Sequence, residues 1–210
     1  MQADQLNLIH KAGIPSIACN RINLIYPETQ WRPTYYVHPE SFAPDMPYIR
    51  EHVDMGIECW LAEHYAPPPR GKFDLQDASN IHWIKDCHHW FENFDSQNEL
   101  PDEWHLPQLC SFGGSVNIAM QVAVLQGFDE IILVGCDLQY KNGKGKSHMH
   151  PDYEHGAEQP AFYAAKNAFF GHIQAMNWIR RKKKNVKVYN ATDGGLLEVW
   201  ERVSLDEVCK

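Results

Sequence analysis

A helix-patterned segment followed at once by a buried strand is the feature that most limits how this chain can fold. In residues 115–126 apolar side chains recur at intervals of three and four, which predicts an amphipathic helix that ends at Gly127. The segment EIILVGCD, at 130–137, is a continuous apolar run of the kind found in strands covered on both faces. Such strands, alternating with helices, indicate an α/β domain with a largely parallel sheet.

The remaining segments extend this alternation over the chain. Short runs rich in β-branched and aromatic residues predict strands, at 14–19, 34–38, 57–63, 81–84 and 186–191. A long helix is predicted from about 158 to 183, and residues from about 64 to 105 read as a loop-rich insertion. A chain of 210 residues suits one domain with a sizeable core, so we expect residues 1–210 to form a single domain.

The composition argues against several classes of protein. The net charge is -8, which disfavours nucleic acid or an anionic membrane as the partner. No apolar run reaches the roughly 20 residues that a transmembrane helix needs, and the first residues lack the pattern of a signal peptide. The six cysteines form no CxxC pair, so we interpret them as reduced thiols and expect a cytoplasmic protein.

Polar residues stand where three predicted strands end, and ligands of open α/β sheets bind beyond the carboxyl ends of strands. Asn20 and Arg21 follow the first of these strands, Asp137 ends the apolar run, and Asn190 and Thr192 close the last strand. Asn20 could contact a nucleotide or cap a turn. Asp137 could orient a ribose, a catalytic group or a metal, or cap the next loop.

Two glycines precede the helix at 115–126, and a serine is its first residue. Gly113, Gly114 and Ser115 could present consecutive backbone N–H groups and a hydroxyl to an anion at the helix N-terminus. They could instead form a tight turn that needs a positive φ. The segment matches neither a P-loop nor a GxGxxG fingerprint. Of the two interpretations, we favour phosphate binding.

The densest set of titratable side chains is SHMHPDYEHG, at 147–156. A histidine in this segment could act as a general base near neutral pH, or the segment could be a solvated polar loop. His148, His150 and Asp152 could also ligate a metal. No distant partner with zinc-like spacing stands out, so we predict no metal site.

Four segments, taken in order, resemble one known family. They are CNRINLIYPETQWRPTYYV, GGSVNIAMQVAVLQGFDEIILVGCDLQY, HPDY and KVYNATDGGLLEVWERVSLDEV. Together they are similar to the MptE-like (6-hydroxymethylpterin diphosphokinase-like) family, which is itself similar to the bacterial CMP-sialic acid-dependent sialyltransferases. The resemblance covers about residues 14–40 and 110–208, and it implies a Rossmann-like, nucleotide-binding fold with a mostly parallel sheet flanked by helices.

The resemblance also implies roles for single residues. Asn20 would contact the nucleotide, and residues 113–115 would correspond to the family's glycine-bearing turn before the central helix. Tyr140 would help the departing phosphate, and either His150 or His155 would be the catalytic base. Family members usually open with a strand that ends in a GNGPSL-like turn, and this chain starts just downstream of that position. We therefore expect the first strand to be missing, and a homo-oligomer or strand exchange to cover the exposed edge.

Three functions are compatible with these observations. A glycosyltransferase of sialyltransferase-like type would move a sugar from a nucleotide to a small-molecule or glycan acceptor and would require no cofactor. A pterin diphosphokinase would move diphosphate from ATP and would require Mg²⁺ with an acidic ligand such as Asp137. The third is a truncated nucleotide-binding protein without catalysis. We expect a transferase, with the glycosyltransferase first.

Overall fold

The computed structural model describes residues 2–40, 43–86, 106–110, 114–138, 153, 161–183 and 185–210. The described helices are α1 (Ala3–Ala12), α2 (Met46–Asp54), α3 (Ser115–Leu125), α4 (Ala161–Lys182) and α5 (Leu205–Val208). The described strands are β1 (Ile17–Cys19), β2 (Tyr35–His38), β3 (Glu58–Ala62), β4 (Ile81–Asp86), β5 (Gln108–Leu109), β6 (Glu130–Leu133), β7 (Lys187–Asn190) and β8 (Glu201–Arg202). Within the described residues, three 3₁₀ helices join them: Ile22–Glu28, Ala43–Asp45 and Glu63–Tyr65.

All strand pairs among these elements are parallel. One sheet has the order β1-β2-β3-β4-β5, and the other has the order β6-β7-β8. Parallel strands need crossover connections, and helices of this chain supply several of them. The predicted α/β, Rossmann-like fold with helices flanking a parallel sheet is therefore confirmed.

Helices cover both faces of the sheets. In the first core, Leu6 and Ile9 of α1 pack with Ile49 of α2. In the second core, Ile118 of α3 packs with Trp178 of α4. Strand β3 belongs to both cores because successive side chains of a strand point to opposite faces. The alternation explains why this strand reads as a continuous apolar run in the sequence.

Strand β3 shows the alternation directly. Cys59 and Leu61 lie in the first core, and Trp60, between them in sequence, lies in the second. All three residues are 2% exposed or less. The predicted strand at 57–63 is thus a central strand that is buried on both faces.

The outer strands of the two sheets lie near each other. Ile17 of β1 packs against the second core, which contains Leu133 of β6, and Val134 packs against the first core, which contains Ala18 of β1. In the described part of the chain, β1 pairs only with β2 and β6 pairs only with β7. Cys19, at the end of β1, interacts electrostatically with Cys136, which follows β6, so the carboxyl ends of these two strands lie close together.

Strand β6 is shorter than predicted, because it ends at Leu133 and not at Asp137. Gly135 and Leu138 both adopt a positive φ, of 77° and 51°, which is incompatible with an extended strand. Helix α3 ends close to the predicted position, and Gly127 follows it with a φ of 86°. No element was predicted for the segments that form α1 and α2.

The interpretation of the cysteines was wrong for Cys110. The structure records Cys110 in a disulfide bond whose partner lies outside the described residues. The described free thiols are Cys19, Cys59, Cys136 and Cys209. Spacing along the chain did not reveal the pair because a disulfide depends on how closely the fold brings two Cα atoms together. Among the described helices, none has the length and apolarity to cross a membrane.

Candidate functional site

A cluster of polar side chains lies where β1 and β2 end and α3 begins. The Ser115 hydroxyl lies 3.2 Å from Oδ1 of Asn20 and 3.1 Å from Oε1 of Glu40. Its single proton can be donated to one of these oxygens at a time. Asn20 and Ser115, both predicted site residues, are thus brought together, and Glu40 joins them.

The backbone of Asn20 is held in an uncommon conformation. Its φ is 56°, in the left-handed region that asparagine tolerates better than most residues. The Tyr36 hydroxyl donates to the Asn20 carbonyl at 2.6 Å, and the Asn20 N–H donates to the Val37 carbonyl at 3.3 Å. Both contacts come from β2, so the neighbouring strand holds the Asn20 backbone in this conformation.

Tyr153 adds a ring and a hydroxyl to this cluster. Its side chain shares a hydrogen bond with Asn20. Burial raises the pKa of Tyr153 to about 12, although the hydrogen bond with Asn20 acts in the opposite direction. The phenol therefore stays protonated near neutral pH.

Arg21 lies behind the cluster, and 3% of its surface is exposed. Its guanidinium pairs with Oδ1 of Asp45 at 2.6 Å, and Nε2 of His38 lies 2.9 Å from Oδ2 of the same carboxylate. Burial raises the pKa of Asp45, but the hydrogen bonds and charges of His38 and Arg21 outweigh it and lower the pKa below its ordinary value. Asp45 is consequently ionised, and the guanidinium is committed to a protein group.

Asn190 and Thr192 connect the loops that follow β6 and β7. Nδ2 of Asn190 donates to the Leu197 carbonyl at 2.9 Å, and its Oδ1 accepts from the Thr192 N–H at 3.0 Å. Oγ1 of Thr192 accepts from the Cys136 N–H at 2.9 Å. Both side chains are buried, so these contacts hold the loop beside Asp137.

Asp137 itself lies on an exposed part of this loop. Its carbonyl accepts from the Leu196 N–H at 2.6 Å, and its backbone lies directly against Gly195. The glycine pair at 194–195 has positive φ at both positions, of 68° and 83°.

Gly114 does not need to be glycine for the fold. Its φ is -165°, which is extended backbone, and the nearest atom to an added Cβ would be Nδ2 of Asn117 at 3.7 Å. The tight-turn interpretation, with a positive φ, therefore does not apply to Gly114. A Cβ at this position would make an ordinary van der Waals contact with Asn117, so packing does not require a glycine at the N-terminus of α3.

Four predicted site residues lie outside the described residues. They are Gly113, Tyr140, His150 and His155. In the part of the chain that is described, no group of three or more His, Cys, Asp or Glu side chains is arranged to hold a metal ion.

Sequence reasoning missed Glu40, Tyr153 and the pair of His38 with Asp45. Glu40 follows the strand predicted at 34–38, so the strand-end rule that selected Asn20 could have found it. Tyr153 lies in the HPDY motif, of which only the histidine was predicted to be a site residue. No local signal marks Asp45, because its partners come from other elements.

A cavity of about 690 Å³ lies between α1 and the segment at 27–30, and none of its lining residues belongs to the cluster around Asn20. Its lining residues are Asn7, His10, Lys11, Pro27, Glu28, Thr29 and Gln30. Ligands of open α/β sheets bind at the carboxyl ends of the strands, so the polar cluster around Asn20 is the stronger candidate site.

Comparisons of the chain with family models, with curated proteins and with solved structures find no match. The resemblance to the MptE-like family therefore stays a prediction that rests on the four sequence segments.

Proposed function

We propose that the protein is a nucleotide-dependent transferase that uses a nucleotide-activated sugar, in the manner of the sialyltransferases. The observation that carries this proposal is the meeting of Asn20, Ser115 and Tyr153 at the carboxyl ends of parallel strands, beside the N-terminus of α3. This is the position at which open α/β sheets bind nucleotides. An amide, two hydroxyls and an aromatic ring are groups that recognise a nucleoside.

The phosphates are assigned to the open side of the helix N-terminus, at Gly113 and Gly114. The positive end of the α3 dipole favours an anion there, and Gly114 has no side chain to shield its backbone N–H. The carboxylate of Glu40 would repel a phosphate placed against Ser115. Glu40 is therefore assigned to a hydroxyl or amino donor of the nucleoside.

The reaction is an in-line displacement at the sugar. The bond between the sugar carbon and the phosphate oxygen breaks, and the electron pair leaves with the phosphate. The acceptor hydroxyl forms the new bond to the sugar carbon, and its proton passes to His150 or His155. Tyr140 and the α3 N-terminus stabilise the charge on the departing phosphate.

Thermal unfolding with CMP, CDP, ATP and GTP, each with and without Mg²⁺, tests the proposal. We expect CMP and CDP to raise the melting temperature without Mg²⁺, because a ligand that binds only the folded state stabilises it. Ser115→Ala should lose most of this increase. Ser204→Ala is the control, since Ser204 lies at the N-terminus of another helix, α5, and makes no capping bond with its side chain.

The other outcomes identify the alternatives. Stabilisation by ATP that requires Mg²⁺ would support the pterin diphosphokinase, with Asp137 as the ligand of the ion. Stabilisation by a nucleotide without turnover would support a non-catalytic binding protein, and no stabilisation by any nucleotide would overturn the proposal. Once transfer is detected, full turnover in both His150→Ala and His155→Ala would exclude the loop histidines as the base.

A further inference from the structure

We propose that Arg21 is a positioning residue that anchors Tyr153 beside Asn20, and that it does not itself bind the nucleotide. We call the contact of Arg21 with Tyr153 the anchor, and the evidence for it is a set of contacts within the protein. The identity of the ligand, a nucleotide, rests on the proposed function. Arg21 was predicted to contact the nucleotide because it follows a strand end. The structure gives its guanidinium a different set of neighbours.

Arg21 and Tyr153, which form the anchor, lie 132 positions apart in the chain. Nη1 of Arg21 donates to the Tyr153 carbonyl at 3.1 Å. The guanidinium carbon also lies 5.8 Å from the centroid of the Tyr153 ring and 5.2 Å from that of Tyr48. These distances are within the range of cation–π attraction. Arg21 thus contacts both the backbone and the ring of Tyr153.

Asp45, itself paired with His38, holds Arg21 in place. Nε and Nη2 of Arg21 both lie 2.6 Å from Oδ1 of Asp45, and Oδ2 of Asp45 lies 2.9 Å from Nε2 of His38. The exposed fractions of these side chains are 4% for Arg21, 8% for Asp45 and 0% for His38. A buried carboxylate with a partner on each oxygen has little freedom to move, so it fixes the plane of the guanidinium.

His38 and Tyr153 connect the anchor with the candidate site. Nδ1 of His38 lies 3.1 Å from the carbonyl of Glu40, whose carboxylate accepts from Ser115. The Tyr153 side chain shares a hydrogen bond with Asn20. A series of contacts therefore connects His38, Asp45, Arg21 and Tyr153. It joins the cluster around Asn20 at two places, through Glu40 beside His38 and through the Tyr153 side chain.

Limited digestion of the ligand-free, full-length protein with trypsin tests the anchor. Trypsin cleaves after lysine, and Lys141, Lys144 and Lys146 precede Tyr153 in the sequence. Arg21→Lys keeps the charge and the trypsin site but loses the planar fork that contacts both Asp45 and Tyr153. We expect cleavage at these lysines to become at least about fivefold faster in Arg21→Lys and in Tyr153→Ala, because the contacts that hold Tyr153 are weakened or lost.

Two variants are the controls for this digestion. Tyr153→Phe keeps the ring and the backbone carbonyl that Arg21 contacts, so its cleavage should stay near that of the unmodified protein. Arg202→Lys alters another arginine that holds backbone carbonyls, those of Thr192, Gly194 and Gly195, and it should not change cleavage at 141–146. Circular dichroism checks that each variant is folded, and Tyr153→Ala tests the anchor if Arg21→Lys does not fold.

Unchanged cleavage in folded Arg21→Lys or in Tyr153→Ala would overturn the anchor, whether or not a nucleotide binds. If cleavage is faster in these variants but the unmodified protein binds no nucleotide, the anchor is supported and the proposed function is refuted. If CMP binds, the losses of affinity in Arg21→Lys and Tyr153→Ala should not add in the double variant, because Arg21 acts through Tyr153. Full additivity would show a direct contact of Arg21 with the nucleotide and would also overturn the anchor.

Discussion

At the scale of single residues, Asn20 combines a backbone role with a side-chain role. Its left-handed φ of 56° turns the chain after β1, and its amide then meets Ser115 and Tyr153. Glycine would satisfy the backbone role alone, since it adopts a positive φ without a steric penalty. Alanine would satisfy neither, because its Cβ is strained in this region.

Replacing Asn20 with glycine and with alanine separates the two roles. Relative to Asn20→Gly, Asn20→Ala should lower the free energy of unfolding by about 1 kcal/mol, which is the typical cost of a left-handed conformation for an L-residue. Urea unfolding measures this difference. Both variants should lose CMP binding to the same extent, because both lack the amide. A glycine variant that binds CMP as well as the unmodified protein would show that the side chain contributes nothing to the site.

At the scale of elements, the connection after β6 depends on close contact with the turn after β7. A Cβ added to Gly195 would lie 2.5 Å from the Asp137 carbonyl oxygen and 2.6 Å from the Asp137 Cα. A Cβ added to Gly194 would have nothing within 4 Å. Both glycines have a positive φ, so the two positions differ in their contact with Asp137 and not in their backbone strain.

Gly195→Ala and Gly194→Ala therefore form a matched pair. Gly194→Ala should lower the free energy of unfolding by about 1 kcal/mol, which is the strain of the backbone alone. Gly195→Ala should lower it by a further 1–3 kcal/mol or so, because the backbone of Asp137 must move. Chemical unfolding compares the two variants directly. Equal losses would contradict the close contact between Gly195 and Asp137.

Two elements that the sequence analysis did not predict had local signals. Helix α1 has a capping box of Gln2 with Gln5, and it is followed by Gly13, which has a φ of 65°. Helix α2 has a proline at its first turn, as many helices do. Both helices have only nine or ten residues, and their apolar stripe is short, so periodicity alone is a weak guide to them.

At the scale of the whole molecule, each of two packed regions buries a histidine in its neutral form. Nε2 of His52 lies 2.7 Å from the Tyr26 hydroxyl, and Nδ1 of His172 accepts from the Trp200 indole at 3.1 Å. Burial lowers the pKa of both histidines to about 4. An unfolded histidine has a pKa near 6.5, so the unfolded chain binds more protons than the folded one between these values.

The free energy of unfolding should therefore fall as the pH falls from about 6.5 towards 4, and be unaffected by these groups above 6.5. Each histidine contributes on the order of 3 kcal/mol over this window. Urea unfolding at several pH values measures the slope, and His172→Gln should reduce it. His10→Gln, at an exposed position, should leave it unchanged. A slope that is the same in all three proteins would contradict the burial of neutral His172.

Features that depend only on neighbouring residues could be predicted from the amino-acid sequence. The apolar periodicity at 115–126, the continuous apolar run of β6 and the stop at Gly127 are local patterns, and local backbone preferences decide them. The same patterns predicted parallel strands covered by helices, and with them the edge of the sheet at which a ligand would bind. Asn20 and Ser115 could be selected in this way because both stand at the end of an element.

Only the tertiary structure decided which of these residues meet and what each contacts. Asn20 and Ser115 are 95 positions apart, and their contact depends on the order of the strands and on where α3 packs. The carboxylate partner of Arg21 and the bonds of Asn190 with its loop were likewise not visible in any local pattern. The physical reason is that charge and hydrogen-bonding capacity belong to a residue, whereas its partner is chosen by packing between distant parts of the chain.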